Sequence, residues 1–131
     1  MWRSGVMRRR AHVALLEMVE SAAQSGIFEA PWRATPKVWE FFRDEGEILC
    51  HLQREWRNAL AGAIYVAIEQ GDGDLRGDVV KAFQKVQRKH QGLRKVLEAH
   101  VEHPSIAAAM RKERALLSAF TGQTDDAPQA A

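Results

Sequence analysis

Residues 75–101 read LRGDVVKAFQKVQRKHQGLRKVLEAHV, and the spacing of their side chains decides the fold class. At about 100° per residue, one side forms an apolar stripe of Leu75, Val79, Phe83, Val86, His90, Leu93, Leu97 and Val101. The opposite side forms a basic stripe of Lys81, Lys85, Arg88, Lys89 and Lys95. Because the apolar stripe keeps its phase across Gly92, we predict one amphipathic helix over residues 75–102 that continues through this glycine. The helix is expected to end before Pro104, since the residue preceding a proline disfavours helical backbone.

Three further segments show apolar residues at helical spacing, each bounded by a capping or turn signal. They predict helices over residues 7–25, 36–70 and 104–121. Gly26 is placed to cap the first of these helices, and Thr35 followed by Pro36 is a typical start for the second. Gly46 is expected to bend or break the second helix, and Asp74 to cap the 75–102 helix.

The sequence predicts an all-α antiparallel bundle of four to five helices without a sheet. It contains no alternating β-branched run and no hairpin signal, and its length suits one domain over residues 1–122. Residues 1–6 have no clear period and are expected to fray, and residues 123–131 are expected to form a disordered polar tail. The second half of the 36–70 helix is apolar nearly all round, so we predict that it is the central and most buried helix.

The amino-acid composition limits the kinds of protein to which this chain can belong. The chain is 46% hydrophobic and 27% charged with a formal net charge of +2, which is typical of a globular protein and does not demand a nucleic-acid partner. The single cysteine, Cys50, excludes an internal disulfide and a thiolate metal cluster. The most apolar run, residues 59–68, is too short for a bilayer, which needs about 20 residues. Abundant Ala, and Arg in excess over Lys, indicate a bacterial protein, for which we expect a cytoplasmic location and no membrane association.

No motif predicts catalysis, a metal site or a cofactor site. Three polar residues share one face of the 36–70 helix at four-residue spacing, namely Glu47, His51 and Glu55. Di-iron bundles use Glu-x-x-His instead, so we interpret this set as a solvated charge ladder. His100 and His103 lack a third ligand and are interpreted as a polar helix end, and His90 as a buried structural histidine. The chain is therefore expected to be non-enzymatic.

The leading functional hypothesis places a protein interface at an aromatic cluster around the 26–35 connector. Its candidate partner-binding residues are Phe28, Trp32, Trp39 and Phe41. Exposed aromatic side chains are typical of protein interfaces, so the cluster predicts a protein partner or self-association. In the alternative, the connector folds over the end of the bundle and its aromatic residues plug the core.

The basic stripe supports an alternative function, non-specific nucleic-acid binding. Its candidate phosphate-binding residues are Lys81, Lys85, Arg88, Lys89 and Lys95. Cations along one helix face can follow a phosphate backbone, but the stripe has few side chains suited to reading bases. Two other interpretations stay open: a solvated surface that keeps the protein soluble, and an internal contact with the acidic segment 40–47.

Overall fold

The computed structural model describes the backbone of residues 2–121 and the side chains of residues 5–120. Within that range the chain forms five α-helices and no strand, which confirms the all-α prediction. The helices are α1 (Trp2–Gln24), α2 (Glu45–Gln70), α3 (Leu75–Lys89), α4 (Gln91–Ala99) and α5 (Ala107–Thr121). Two 3-10 turns, Pro31–Ala34 and Pro36–Glu40, lie between α1 and α2. The predicted tail lies outside the described residues, and α1 includes residues 2–6.

Helix α2 contributes Ile48, Leu49, Leu52, Trp56 and Leu60 to the buried core. It forms a hairpin with α3 and also packs against α4, while α1 packs against α4 and the first 3-10 turn, and α5 packs against α3. The buried core includes Leu15, Val19, Trp32, Ile48, Leu49, Leu52, Trp56, Val86, Val96, Leu97, Ile106 and Met110. No helix within residues 2–121 has both the length and the apolar composition that crossing a membrane requires.

Two local capping predictions are confirmed. Gly26 has a φ of +76°, and the amides of Gly26 and Ile27 donate back to the last turn of α1 at 3.0 Å, which is the geometry of a glycine-terminated helix. The Asp74 side chain accepts a hydrogen bond from the amide of Gly77 at 3.1 Å and so caps α3. The last helix begins at Ala107 rather than at residue 104.

The predicted 36–70 helix is wrong for residues 36–44. Thr35 makes no side-chain cap, and the following residues form a short 3-10 turn that ends at Glu40. Helix α2 begins after Asp44, whose side chain accepts a hydrogen bond from the amide of Glu47 at 2.9 Å. Gly46 lies in this first turn, where a side chain would collide with the Ser105 hydroxyl. The glycine therefore permits a close approach rather than bending a long helix.

The predicted continuous helix over residues 75–102 is also wrong, because the chain breaks at His90, which has φ −122° and ψ 51°. The cause lies in α1. The carboxylate of Glu20 accepts hydrogen bonds from the amides of Gly92 and Leu93 at 3.0 and 2.8 Å. In a continuous helix these amides would donate to carbonyls one turn earlier. A Cβ on Gly92 would lie 2.8 Å from the Val19 carbonyl oxygen, so the glycine allows α4 to sit directly on α1.

Candidate functional site

The C-terminal half of α2 exposes a continuous apolar surface, which we call the α2 patch. Its members are Ala61, Gly62, Tyr65, Val66 and Ile68. The side chains of Tyr65, Val66 and Ile68 are 66%, 46% and 47% exposed. At about 100° per residue, all five lie on one side of the helix. The prediction that this helix is the most buried of the bundle therefore fails in its C-terminal half.

The opposite side of the same half-helix packs against the core. Leu60 is buried, and Ala63 and Ile64 are partly buried against the core cluster. Ala59, Ala63 and Ala67 recur every four residues here, and small residues at that spacing suit the close packing of α2 against α3. Helix α2 has apolar residues on both sides here, and the described elements cover only one of them.

Opposite charges flank the α2 patch. Arg54 and Arg57 are exposed on its N-terminal side, and Glu69 and Asp72 are exposed on its C-terminal side. Within the described part of the chain, none of these four side chains takes part in an ion pair. The patch is thus an apolar strip with a basic end and an acidic end, both directed toward solvent.

Trp32, a predicted partner-binding residue, is fully buried. Its indole Nε1–H donates to Glu45 Oε2 at 3.1 Å, and Arg33 Nε donates to the same oxygen at 3.0 Å. Burial alone would raise the pKa of Glu45, but the hydrogen bonds from Trp32 and Arg33 outweigh it and hold the pKa below its usual value. Trp32 therefore plugs the core, as in the alternative interpretation of the connector, and offers no surface to a partner.

The other three aromatic candidates do not form one surface. Phe28 is half-buried beneath the ammonium group of Lys95, which lies 4.9 Å from the ring centroid. Phe41 is half-buried and lines an open groove with Met18, whereas Trp39 is 44% exposed. The structure thus leaves only Trp39 of the four predicted residues as an exposed aromatic side chain.

The basic stripe is divided between two helices. Lys81, Lys85, Arg88 and Lys89 are exposed on α3, and Lys95 is exposed on α4 beyond the break. We call the four cations on α3 the α3 basic face. The acidic segment 40–47 finds ion-pair partners close by in sequence, namely Arg33 for Glu45 at 3.0 Å and Arg43 for Asp44 at 3.8 Å. Its described ion pairs do not involve the stripe.

A histidine pair lies where the sequence predicted a solvated charge ladder, and for His51 that prediction is wrong. His51 is 6% exposed, and its ring centroid lies 3.9 Å from that of His12 and 5.9 Å from that of Phe42. Neither ring nitrogen of His51 has a hydrogen-bond partner among the described residues. Burial, and then the neighbouring His12 and Arg54, lower the pKa of His51 from 6.5 to about 4.

The partner in this pair, His12, was not singled out from the sequence. It lies next to Ala11 on the margin of the apolar face of α1, and nothing local distinguishes it from a surface histidine. Burial and the nearby Arg8 lower the pKa of His12 as well. Both rings therefore favour the neutral state. Within residues 5–120, no three His, Cys, Asp or Glu side chains are grouped closely enough to hold a metal ion.

A polar cluster that the sequence did not reveal joins three helices. Arg94 pairs with Glu113 at 2.6 Å and Glu98 at 3.0 Å, and its guanidinium lies 4.9 Å from the centroid of the Trp56 ring. The Trp56 Nε1–H in turn donates to Glu113 at 2.5 Å. The charges and hydrogen-bonding groups of these side chains are paired within the cluster. The cluster therefore holds α2, α4 and α5 together and has a structural role.

Comparison with known proteins adds no family assignment. The chain matches no protein-family model, no curated protein and no solved structure. The charged groups that flank the α2 patch and those of the α3 basic face form no ion pair among the described residues.

Proposed function

We propose that the protein is a non-enzymatic protein-interaction module of a bacterial cytoplasm, and that it binds through the α2 patch. The observation that carries this proposal is the exposure of Tyr65, Val66 and Ile68, which together span the solvent-facing half of helix α2. Exposed apolar residues are common singly, but a contiguous group with a polar rim is typical of a binding surface. The proposal moves the interface from the aromatic connector to α2.

The composition of the patch also favours a protein partner. Tyr65 provides a large, rigid aromatic group of the kind that dominates the energy of protein interfaces. Ala61 and Gly62 beside it are small, so a helix of a partner can approach the α2 backbone closely. Arg57 and Glu69 supply charges at the rim, where they orient a partner rather than add much affinity.

Site-specific photo-cross-linking in living cells tests this proposal. A photoreactive phenylalanine analogue replaces Tyr65 in one version of the protein and Lys85 in a control version, since both side chains are exposed. We expect a covalent protein adduct of discrete size from position 65 and not from position 85. Absence of an adduct at position 65, or equal adducts at both positions, contradicts the proposal.

A second candidate function, non-specific nucleic-acid binding, has its own support. The four cations of the α3 basic face are exposed, and none has an ion-pair partner among the described residues. Such a face can contact phosphates without reading bases. Because Lys95 lies on α4 over Phe28, four contacts are expected rather than five.

Salt dependence tests this second candidate. Four phosphate contacts give a log–log slope of affinity against salt of about −3.6 on duplex DNA. The double variant Lys85→Glu/Lys89→Glu is expected to lose binding to all sequences alike, and its stability to stay within about 0.5 kcal/mol of wild type. A flat titration of wild type in about 50 mM salt eliminates this candidate.

A further inference from the structure

We infer that the partner of the α2 patch is a second copy of this chain, bound with its α2 antiparallel to the first. This inference rests on the proposed function, because it names the partner of the same surface. In a two-fold symmetric dimer each copy presents the same patch, so the patch must be complementary to itself. Its charges and its shape both meet that requirement.

The charges select the antiparallel orientation. Arg54 and Arg57 lie at one end of the patch, and Glu69 and Asp72 lie at the other. An antiparallel second copy places the basic end of one α2 opposite the acidic end of its partner. A parallel copy would oppose like charges at both ends, which is unfavourable. The dipoles of two neighbouring helices also favour the antiparallel arrangement.

The shape of the patch fixes the register. When the symmetry axis passes between residues 63 and 64, Gly62 of one copy lies level with Tyr65 of the other. A Cβ at Gly62 would meet no atom within 4 Å, so the glycine leaves open space for the tyrosine ring. In the same register, Asn58 lies level with Glu69 of the second copy, and both are on the same flank of the helix. The amide of Asn58 can then donate to the carboxylate of Glu69.

The size of the patch predicts a weak and reversible dimer. Two helices that contact each other over about three turns bury less than the ~800 Å² per partner of a standard interface. Interfaces of this size usually belong to transient complexes. We therefore expect a dissociation constant in the micromolar range, on the order of 10 µM.

Sedimentation equilibrium of the purified full chain tests the dimer. Wild type is expected to shift from monomer to dimer between about 1 and 100 µM. The variant Tyr65→Glu should weaken the dimer by about tenfold or more, and Gln84→Glu, the same one-unit charge change at an exposed position of α3, should leave it unchanged. Circular dichroism verifies that both variants fold. A wild-type monomer at all concentrations, or equal dimerisation of Tyr65→Glu and wild type, overturns the inference.

Cysteine cross-linking tests the orientation. In a Cys50→Ser background, Asn58→Cys and Glu69→Cys are made as two separate proteins of different tag size. An antiparallel dimer gives a mixed cross-link when the two proteins are combined, and neither protein alone gives a cross-linked dimer. Cross-linking of each protein with itself, without the mixed species, indicates a parallel pair and overturns the inference.

The outcomes separate this inference from the proposed function. If wild type is monomeric and the photoreactive group at position 65 captures a different protein, the second-copy inference is wrong and the interaction function stands. If position 65 captures nothing and wild type is monomeric, both are wrong. If the adduct has the mass of two copies and Tyr65→Glu is monomeric, both are supported.

Discussion

The two halves of helix α2 are both rich in apolar residues, and they lie in opposite environments. In the N-terminal half, residues 45–56, the apolar side chains are buried in the core. Even the polar His51 is buried there, against His12 of α1. In the C-terminal half, residues 57–70, one side packs on the core and the other exposes Tyr65, Val66 and Ile68. An apolar helix face is therefore suited to burial, but its sequence does not indicate which element, if any, covers it.

The largest expected effect is on stability, and it compares one large aromatic residue from each half of α2, Trp56 and Tyr65. Trp56 is fully buried against Phe83 and Arg94, and replacing it with alanine should destabilise the fold by about 3–5 kcal/mol. The change also removes a hydrogen-bond donor to Glu113. Tyr65→Ala, in the exposed half, should alter stability by no more than about 0.5 kcal/mol.

Urea unfolding measures both variants, at protein concentrations low enough that association does not contribute. A Tyr65→Ala variant as unstable as Trp56→Ala would mean that the C-terminal half is covered within the monomer. The contrast between the two halves of α2 would then be lost.

The second prediction concerns pH and the buried half. An unfolded chain protonates His51 near pH 6.5, whereas the folded chain does so only near pH 4, because burial and the adjacent His12 disfavour the charged ring. Between these two values the unfolded state binds more protons, so stability is full above pH 6.5 and falls as the pH drops toward 4. The loss is on the order of 3 kcal/mol. Below pH 4 this contribution no longer changes.

The variant His51→Leu isolates this effect, because leucine has a similar size and cannot be protonated. We expect its unfolding free energy to fall less than that of wild type between pH 6.5 and 4. At pH 7 the variant should be at least as stable as wild type, since the ring nitrogens it removes have no partner among the described residues. Parallel pH profiles of the two proteins would show that His51 does not control the acid sensitivity.

The sequence predicted features that depend on neighbouring residues and missed those that depend on distant ones. The caps at Gly26 and Asp74 are local, because each is formed with residues of its own turn. The break at His90 depends on the Glu20 carboxylate, 72 residues before the Gly92 amide that it binds. The periodicity of residues 75–102 could not reveal that a carboxylate of α1 accepts hydrogen bonds from amides in the middle of this segment.

The candidate sites follow the same rule. The sequence correctly identified the cations of the α3 basic face as surface residues, because charged side chains are rarely buried. It placed Trp32 at an interface, and a hydrogen bond to Glu45 explains why that indole can be buried instead. The α2 patch was missed because the apolar residues on both sides of α2 predicted burial on both sides.

Gly92 and Gly62 show the same contrast between a covered and an uncovered surface, with smaller expected effects on the free energy of unfolding. Gly92 is buried where α4 crosses α1, and a Cβ there would lie 2.8 Å from the Val19 carbonyl oxygen and 2.9 Å from the Glu20 Cα. These are backbone atoms, which cannot move without shifting α1. Gly92→Ala is therefore expected to destabilise the fold by about 1–3 kcal/mol, although alanine is the better helix former. Thermal or urea unfolding measures the loss.

Gly62 provides the matched opposite case, with the smallest expected effect. It lies inside α2 on the exposed patch, and a Cβ there would meet no atom within 4 Å. Alanine at this position restricts the unfolded chain and suits a helix, so Gly62→Ala should stabilise the monomer by about 0.5–1 kcal/mol. The measurement is made at low protein concentration, because in a dimer the same methyl group would face Tyr65 of the second copy. If Gly62→Ala destabilises the dilute monomer, an element of the chain must cover this surface, and the α2 patch would not be free to bind a partner.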